Sequence, residues 1–405
     1  MREIEFSTMF KTDSSGLGDA FFDTFVKRQY IQVKRMHMEW PDSWNRLVQF
    51  GLNAHGPDVS EVGTTWLGSF HTIDSLRPLT MAETELFGGK SNYPTAIWEA
   101  CKFEGQDFLF GVPWTLDLRV VLYRRDWLQK AGLDETTAFA DAGQFAETLK
   151  CLQAAGHPSP LGLTSSQTHT RLGHDMACWV WGAGGDIRSD DGRHMMLMEP
   201  KSRAGIEAYF GMNQFIAPEM RGQTEMQVFQ DFFYGKTAAA ILPERAYAEV
   251  VVNTVNFVAP EVKENIGLAM LMQAPYIGGS ALTIWRHAAN YQDALKLIQY
   301  LTGLESWKVL YELYPPYTPA RLDALDKSAL AKMPHYSAIQ SSLKNGRSFH
   351  SGFRWRGVEA RLASVIEQMW NDLRANPDLD ISSEVSQRFS NLCARLEQTI
   401  LASSW

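Results

Sequence analysis

The sequence predicts an α/β protein of two α/β lobes joined by a hinge, with an interlobe ligand cleft. Its 405 residues exceed what one hydrophobic core usually supports. Strand and helix signals alternate through the first third, which implies a parallel sheet covered by helices. Later segments read as strands that leave the first sheet, enter a second one, and return.

The elements follow in order. "REIEFSTMF" alternates apolar and polar residues as a strand does. "GLGDAFFDTFVKRQY" places Phe21, Phe22, Phe25 and Val26 on one helical face. "IQVKRMHME" is a second strand, "SWNRLVQFGLNAHG" a helix ending at a glycine cap, and "PDVSEVG" a third strand. Ligands of such sheets gather outside the carboxyl ends of the strands. The loop after the first strand, Phe10 to Ser15, is therefore expected beside Thr64, Thr65 and Trp66. In "GQDFLFGVPWTLDLRVVLYRRDWLQKAG" a turn at Gly105 separates short strands, and Pro113 interrupts the apolar pattern. This segment reads as the crossing into the second lobe. Helices follow in "AGQFAETLKCLQAAG", "TRLGHDMACWVWGAGG" and "SRAGIEAYFGMNQF". "EMQVFQDFFYGKTAAAILPERAYAEVV" reads as helix, glycine stop, small-residue strand, turn and helix. "GLAMLMQAPYIGGSALTIWR" is a strand crossing back, and the last ninety or so residues are mostly helical. The expected lobes are residues 1–115 plus about 276–318, and about 116–275 plus 319–405.

Composition narrows the function classes. The chain is 45% apolar and 21% charged, an ordinary globular balance that gives no case for disorder. No apolar run approaches a membrane span. A net charge of -8 argues against a nucleic-acid partner, because phosphate neutralisation needs clustered Lys and Arg. Cys101, Cys151, Cys178 and Cys393 form no CxxC pair, so a metal site is not expected. The 13 tryptophans are an excess that invites a search for an aromatic-lined site.

Catalytic motifs fail one by one. "FYGKTAAA" contains Gly-Lys-Thr, but Gln230 fills the first glycine position of a P-loop. In "GAGGDI" Ile187 replaces the third glycine of a dinucleotide fingerprint. There is no HExxH or GxSxG, and Ser341 with Lys344 lacks the partner motifs of an SxxK enzyme. No cofactor and no catalytic residue is expected. Two converging carboxylates of a hydrolase or lyase leave no local signal either way.

Four segments then resemble one family in order. "HGPDVSEVGTTWLGSFHTIDSLRPL" is similar to the Gly-Pro-Asp-Val strand, tryptophan and closing L.PL of family 1 extracellular solute-binding proteins of ABC transporters, the sugar binders especially. "FLFGVPWTLDLRVVLYRRDWLQKAGL", "FYGKTAAAILPERAY" and "IGGSALTIW" resemble that family's later hallmarks. Pro243-Glu244-Arg245 departs from the Gly-x-Trp turn often found there. The resemblance implies a periplasmic-binding-protein type II-like fold, closing over a carbohydrate, with ABC permease subunits as partners and the protein a monomer. A hydrolase or lyase acting on carbohydrate, and a sugar sensor serving a receptor, are the alternatives. It also implies a periplasmic or membrane-anchored extracellular location; "MREIEFSTMF" is not a signal peptide, so an export signal is expected to have been removed.

Sugar hydroxyls need hydrogen-bond partners, and a pyranose C–H face packs on an aromatic ring. Trp66, at a strand's carboxyl end, suits stacking; the bland alternative is a ring plugging the lobe's edge. Thr64 and Thr65 either donate to ligand or cap the next helix. Asp117 and Arg119, two apart on a strand, share a face and either orient hydroxyls or brace the hinge as an ion pair. Trp114 is split between hinge packing and stacking, and Trp181 is favoured over Trp179 as a cleft ring. Glu244 is a cleft acid or a helix N-cap acid. Gly279 and Ser280 let backbone approach ligand or allow a bend. Asp13 is a hydroxyl acceptor, and Trp355, beside Arg354, reaches the cleft or packs a surface helix.

Overall fold

The computed structural model describes residues 1–10, 17–103, 106–166, 171–251, 257–313, 317–328, 330–349 and 355–401. Its strands are β1 (Arg2–Thr8), β2 (Ile31–His37), β3 (Val59–Gly63), β4 (Leu79–Thr80), β5 (Phe108–Leu109), β6 (Val112–Arg124), β7 (Leu161–Gly162), β8 (Ala239–Pro243), β9 (Ile266–Met270), β10 (Ile277–Ile284) and β11 (Thr318–Pro319). Two compact units result. The first holds Met1–Asp117, Ile277–Met333 and Ser348–Arg356; the second holds Leu118–Tyr276, Pro334–Arg347 and Gly357–Trp405.

The first unit is built on the expected β-α-β-α-β start, with helices α1 (Leu17–Gln29) and α2 (Trp40–Asn53) as its connections. β1 lies between β2 and β3, parallel to both, and β10 joins β3 antiparallel. Period-two alternation explains the sheet's inner face: Ile4 and Phe6 of β1 and Ile31 and Val33 of β2 are buried, while Gln32 and Lys34 are exposed. Phe21 and Phe25 of α1 are buried at one helical turn's spacing. One boundary differs from expectation. The left-handed residue ending α2 is Ala54 (φ 48), whose N–H returns to the Phe50 carbonyl; no glycine occupies that position.

The chain leaves this unit within β6, a single strand of 13 residues. Pro113 therefore interrupts the apolar pattern without interrupting the strand. It stands second in the strand, where a missing N–H is tolerated. The expected turn at Gly105 lies outside the described residues.

In the second unit the rest of β6 is flanked by two antiparallel neighbours, β8 and β9, and β8 pairs parallel with β7. The expected helix, stop, strand and helix appear as Glu225–Phe233, Gly235 (φ 74), β8 and Arg245–Val251. The returning segment is two strands, β9 and β10, separated by Met272 at φ 60. Small side chains Ala239 and Ala240 let β8 sit fully buried under its helices. The C-terminal helices Trp355–Ala375 and Ile381–Leu401 cover this unit, Trp370 donating its Nε1–H to the Tyr209 hydroxyl at 3.1 Å. Among the described residues no helix is long and apolar enough to cross a membrane.

Candidate functional site

In the first unit β1 and β3 end side by side, and their ends are joined by a carboxylate. Glu61 of β3 is buried; its Oε2 accepts from the Thr8 hydroxyl at 2.8 Å and from the Met9 N–H at 2.7 Å. Burial pushes its carboxyl above the ordinary range, against the hydrogen bonds from Met9, Thr8 and Ser280 that favour the charge. Ser280 of β10 is fully buried and sits 2.7 Å, oxygen to oxygen, from the Thr115 hydroxyl. Gly279 has φ +143, and a Cβ there would meet the Thr115 carbonyl oxygen at 1.9 Å. Glycine is required there by this approach of backbone to backbone. Thr64 is buried, its hydroxyl directed at the Gly279 carbonyl (3.4 Å), and Thr65 is buried beside it.

Trp66 follows, half-exposed, in the short helical turn Thr64–Trp66. Two more half-exposed rings surround it. Trp40 and Trp44, on the first turns of α2, meet it edge-on at centroid distances of 5.5 and 5.6 Å. The Arg356 guanidinium lies 5.3 Å over the Trp44 ring. This places a half-buried tryptophan cluster at the carboxyl end of β3. Neither Trp40 nor Trp44 is among the candidates from sequence, although their spacing of four in "WPDSW" puts both on one helical face.

The remaining first-unit candidates are enclosed, Asp117 excepted. Trp114 is buried, donates to the Leu301 carbonyl at 3.2 Å and packs 4.4 Å from Phe10. With Phe6, Thr8, Phe10, Phe22 and His37 it lines a cavity of about 400 Å³. Trp355 is buried against Phe349 at 4.7 Å. Asp117 is half-buried at the last position of the unit's first segment. Asp13 lies outside the described residues.

The second unit gathers a different chemistry. Arg119, fully buried, is salt-bridged to Asp175 at 3.2 Å and to Glu225 at 2.8 Å. Glu225 also takes Arg171 and, at 2.9 Å, Arg245, both on its Oε1. Burial alone would raise the Glu225 carboxyl, but Arg171, Arg119 and Arg245 hold it well below the carboxylate range. Arg171, Glu225 and Arg245 are each the first residue of a helix. Glu244 is buried and accepts from the Leu118 N–H at 2.7 Å, while its own N–H goes to the Leu118 carbonyl. Trp181 is buried, its Nε1–H on Asp186 at 3.2 Å and Arg347 over its ring. Glu225 and Asp175 escaped the sequence reading because their shared partner, Arg119, is remote in the chain, and Arg171 because its partner is Glu225. Among the described residues no three His, Cys, Asp or Glu side chains gather as a metal site.

The solved structures described next match at low identity, so they establish the fold alone. The sugar-binding protein MalE of Xanthomonas citri matches with a TM-score of 0.81 at 19% identity, over 100% of this chain and 98% of that one. A solute-binding protein of Thermotoga lettingae, bound with α-D-tagatose, matches at 0.78 and 18%, over 97% and 99%. UgpB of Mycobacterium tuberculosis, in complex with glycerophosphocholine, matches at 0.76 and 18%, over 99% and 100%. The class is thus the MalE-like, type II periplasmic-binding-protein fold. The model of the family "Bacterial extracellular solute-binding protein" matches residues 20–338, and the chain belongs to that family. A Deinococcus radiodurans protein named "Probable ABC transporter-binding protein" is 24% identical over 315 residues, 73% of this chain and 70% of its own length. A binding protein of Brucella abortus is 22% identical over 297 residues, 71% of this chain and 66% of its own length.

Proposed function

We propose that the protein is the substrate-binding component of an ABC importer that reversibly captures a carbohydrate, a small oligosaccharide, and delivers it to the permease. The observation that carries this reading is the half-exposed Trp66, set between Trp40 and Trp44 at the carboxyl end of β3. A pyranose offers a C–H face to such a ring and hydroxyls to its polar surroundings. Support comes from similar structures whose descriptions name maltose, tagatose and D-mannitol.

In this reading Trp66 stacks on the sugar, Trp40 and Trp44 fix its plane, and Asp117 accepts from a hydroxyl. The buried candidates Thr64, Thr65, Ser280, Gly279, Trp114, Glu244, Trp181 and Trp355 hold the strand ends and helix starts in place. The solute leaves as it entered, with no bond made or broken. The protein works as a monomer in the periplasm, or anchored outside the cell.

A thermal-shift screen against mono- and oligosaccharides tests this, because a ligand that binds only the folded chain raises Tm. At least one carbohydrate should do so, and Trp66→Ala should remove most of the shift. A shift from some other solute class and from no carbohydrate would overturn the sugar assignment. Release of shorter sugars on incubation would overturn the absence of chemistry.

A further inference from the structure

We infer that the first unit carries a second ligand site, the cavity between α1 and the sheet, and that it takes a flat, uncharged bicyclic aromatic molecule. This goes beyond the carbohydrate reading and does not rest on it, since none of Trp40, Trp44 and Trp66 is among the cavity's described lining residues.

The pleat of the sheet sets the location. Phe6 and Thr8 are two apart on β1, and Val33, Arg35 and His37 are two apart on β2. Register pairs Phe6 with Arg35 and Thr8 with His37, so all five share one face of the sheet, and all five line the cavity. Phe21 and Phe22 of α1 and Trp114 of β6 line it too, with Leu301 and Leu310 from the helices Tyr291–Thr302 and Leu304–Leu313. The Trp66 cluster belongs to the opposite face. Ser7 points the other way from Phe6 and Thr8, and its hydroxyl lies 2.6 Å from that of Ser60. Ser60 accepts from Trp285 Nε1 at 2.7 Å, and Phe70 links Trp285 to Trp44 at centroid distances of 5.3 and 5.5 Å.

Volume and lining set the chemistry. Protein cores pack until few voids exceed a water molecule, so a space of about 400 Å³ is not a packing fault. It falls within the range of roughly 300–1,000 Å³ that small-molecule sites occupy. An apolar cavity of about 150 Å³ holds one benzene ring, so this one has room for a second fused ring. Eight of the eleven described lining side chains are aliphatic or aromatic, and five of them are the rings of Phe6, Phe10, Phe21, Phe22 and Trp114. The indole N–H of Trp114 is spent on the Leu301 carbonyl. Phe6 meets Trp114 at 69° and Phe21 meets Phe22 at 86°, so the walls present both faces and edges to a flat guest. An aliphatic guest would fill the space without those contacts. The three polar side chains have partners of their own. Thr8 donates to Glu61, and His37 lies 2.9 Å from the Phe10 carbonyl and 3.0 Å from Glu39. Arg35 pairs with Asp19, its guanidinium 4.9 Å over the Phe22 ring. A charged guest would exchange water for walls of carbon, beside an arginine that already holds a carboxylate. A neutral ring displaces water that such walls hold poorly.

Isothermal titration calorimetry of the intact chain tests this with 2-naphthol, its saturated counterpart decahydro-2-naphthol, 2-naphthoate and 1-octanol. 2-Naphthol should bind, and the other three at least about tenfold more weakly. Val33→Trp fills part of the space and should weaken 2-naphthol by about tenfold or more. Phe22→Leu keeps apolar bulk and removes a ring; it should cost 2-naphthol about fivefold and decahydro-2-naphthol little. Far-UV circular dichroism checks that both variants are folded. If decahydro-2-naphthol or 1-octanol binds as tightly as 2-naphthol, the aromatic class is overturned, and tighter binding of 2-naphthoate overturns the uncharged one. Silence from all four probes, or binding that ignores both substitutions, overturns the site. The carbohydrate reading stands or falls separately, on the sugar screen.

Discussion

Trp66, Glu61 and Gly279 lie within one layer of the first unit but answer to different forces. In the proposed reading Trp66, part-exposed beside Trp40 and Trp44, stacks on the sugar. Trp66→Ala should therefore lower affinity for the bound sugar by about 30-fold, roughly 2 kcal/mol, while leaving the urea midpoint nearly unchanged. A large drop in that midpoint would mean the ring is core. Gly279→Ala should behave in the opposite way. Its Cβ would overlap the Thr115 carbonyl oxygen at a φ that L-residues rarely adopt, so the expected loss of stability is about 3 kcal/mol or more, read from urea denaturation.

At the scale of the element, side chains close what the backbone leaves open. Glu244 and Leu118 exchange two hydrogen bonds, N–H to carbonyl and N–H to carboxylate, and so pin the exit of β8 to β6. Glu244→Ala leaves the Leu118 N–H buried without its acceptor and should destabilise by about 1–3 kcal/mol, whereas Glu244→Gln keeps an acceptor and should recover most of it. Helix α2 presents the converse case. Ala54 closes it at φ 48, a left-handed conformation in which glycine has no Cβ penalty. Ala54→Gly should therefore raise stability, by up to about 1 kcal/mol, and a fall in Tm would contradict this.

For the whole molecule, pH is the readout that sums these groups. His157 is buried against Trp127 and accepts the Ser159 N–H on Nδ1, so it is held neutral; burial, with Arg124 and Lys130 adding, pushes it down from 6.5 to about 4. A depressed folded value means that the unfolded chain binds the extra proton, so stability is present above pH 6.5 and lost as pH falls toward 4. Glu225 is depressed from 4.5, and its contribution is lost below that value. Glu61 runs the other way, since its raised carboxyl favours the folded state at low pH and opposes it as pH rises. Thermal unfolding across pH should thus show an acid-side decline in two stretches. His157→Gln should flatten the upper stretch only in part, because His71 and His335 are shifted in the same direction. Glu225→Gln should flatten the lower one, and an unchanged acid limb in that variant would contradict the assignment.

The sequence by itself determined the α/β class and the β-α-β-α-β start. It also determined the position of Trp66 at a strand's end and the order of helix, stop and strand around Gly235. Each of these rests on a local period or a turn residue, which neighbouring residues alone can encode. Tertiary structure decided which candidates face water. Trp114, Trp181, Glu244 and Trp355 read like Trp66 from their flanking residues, yet they are buried, because the elements that cover them come from distant parts of the chain. It also decided two side-chain clusters, one in each unit. Trp40 and Trp44 join Trp66 only when α2 packs beside β3. Arg119, Arg171 and Arg245 meet Glu225 across as many as 106 positions of sequence, a convergence that no local pattern records. Charge pairing of this kind acts through space, so it becomes visible only once the chain has folded.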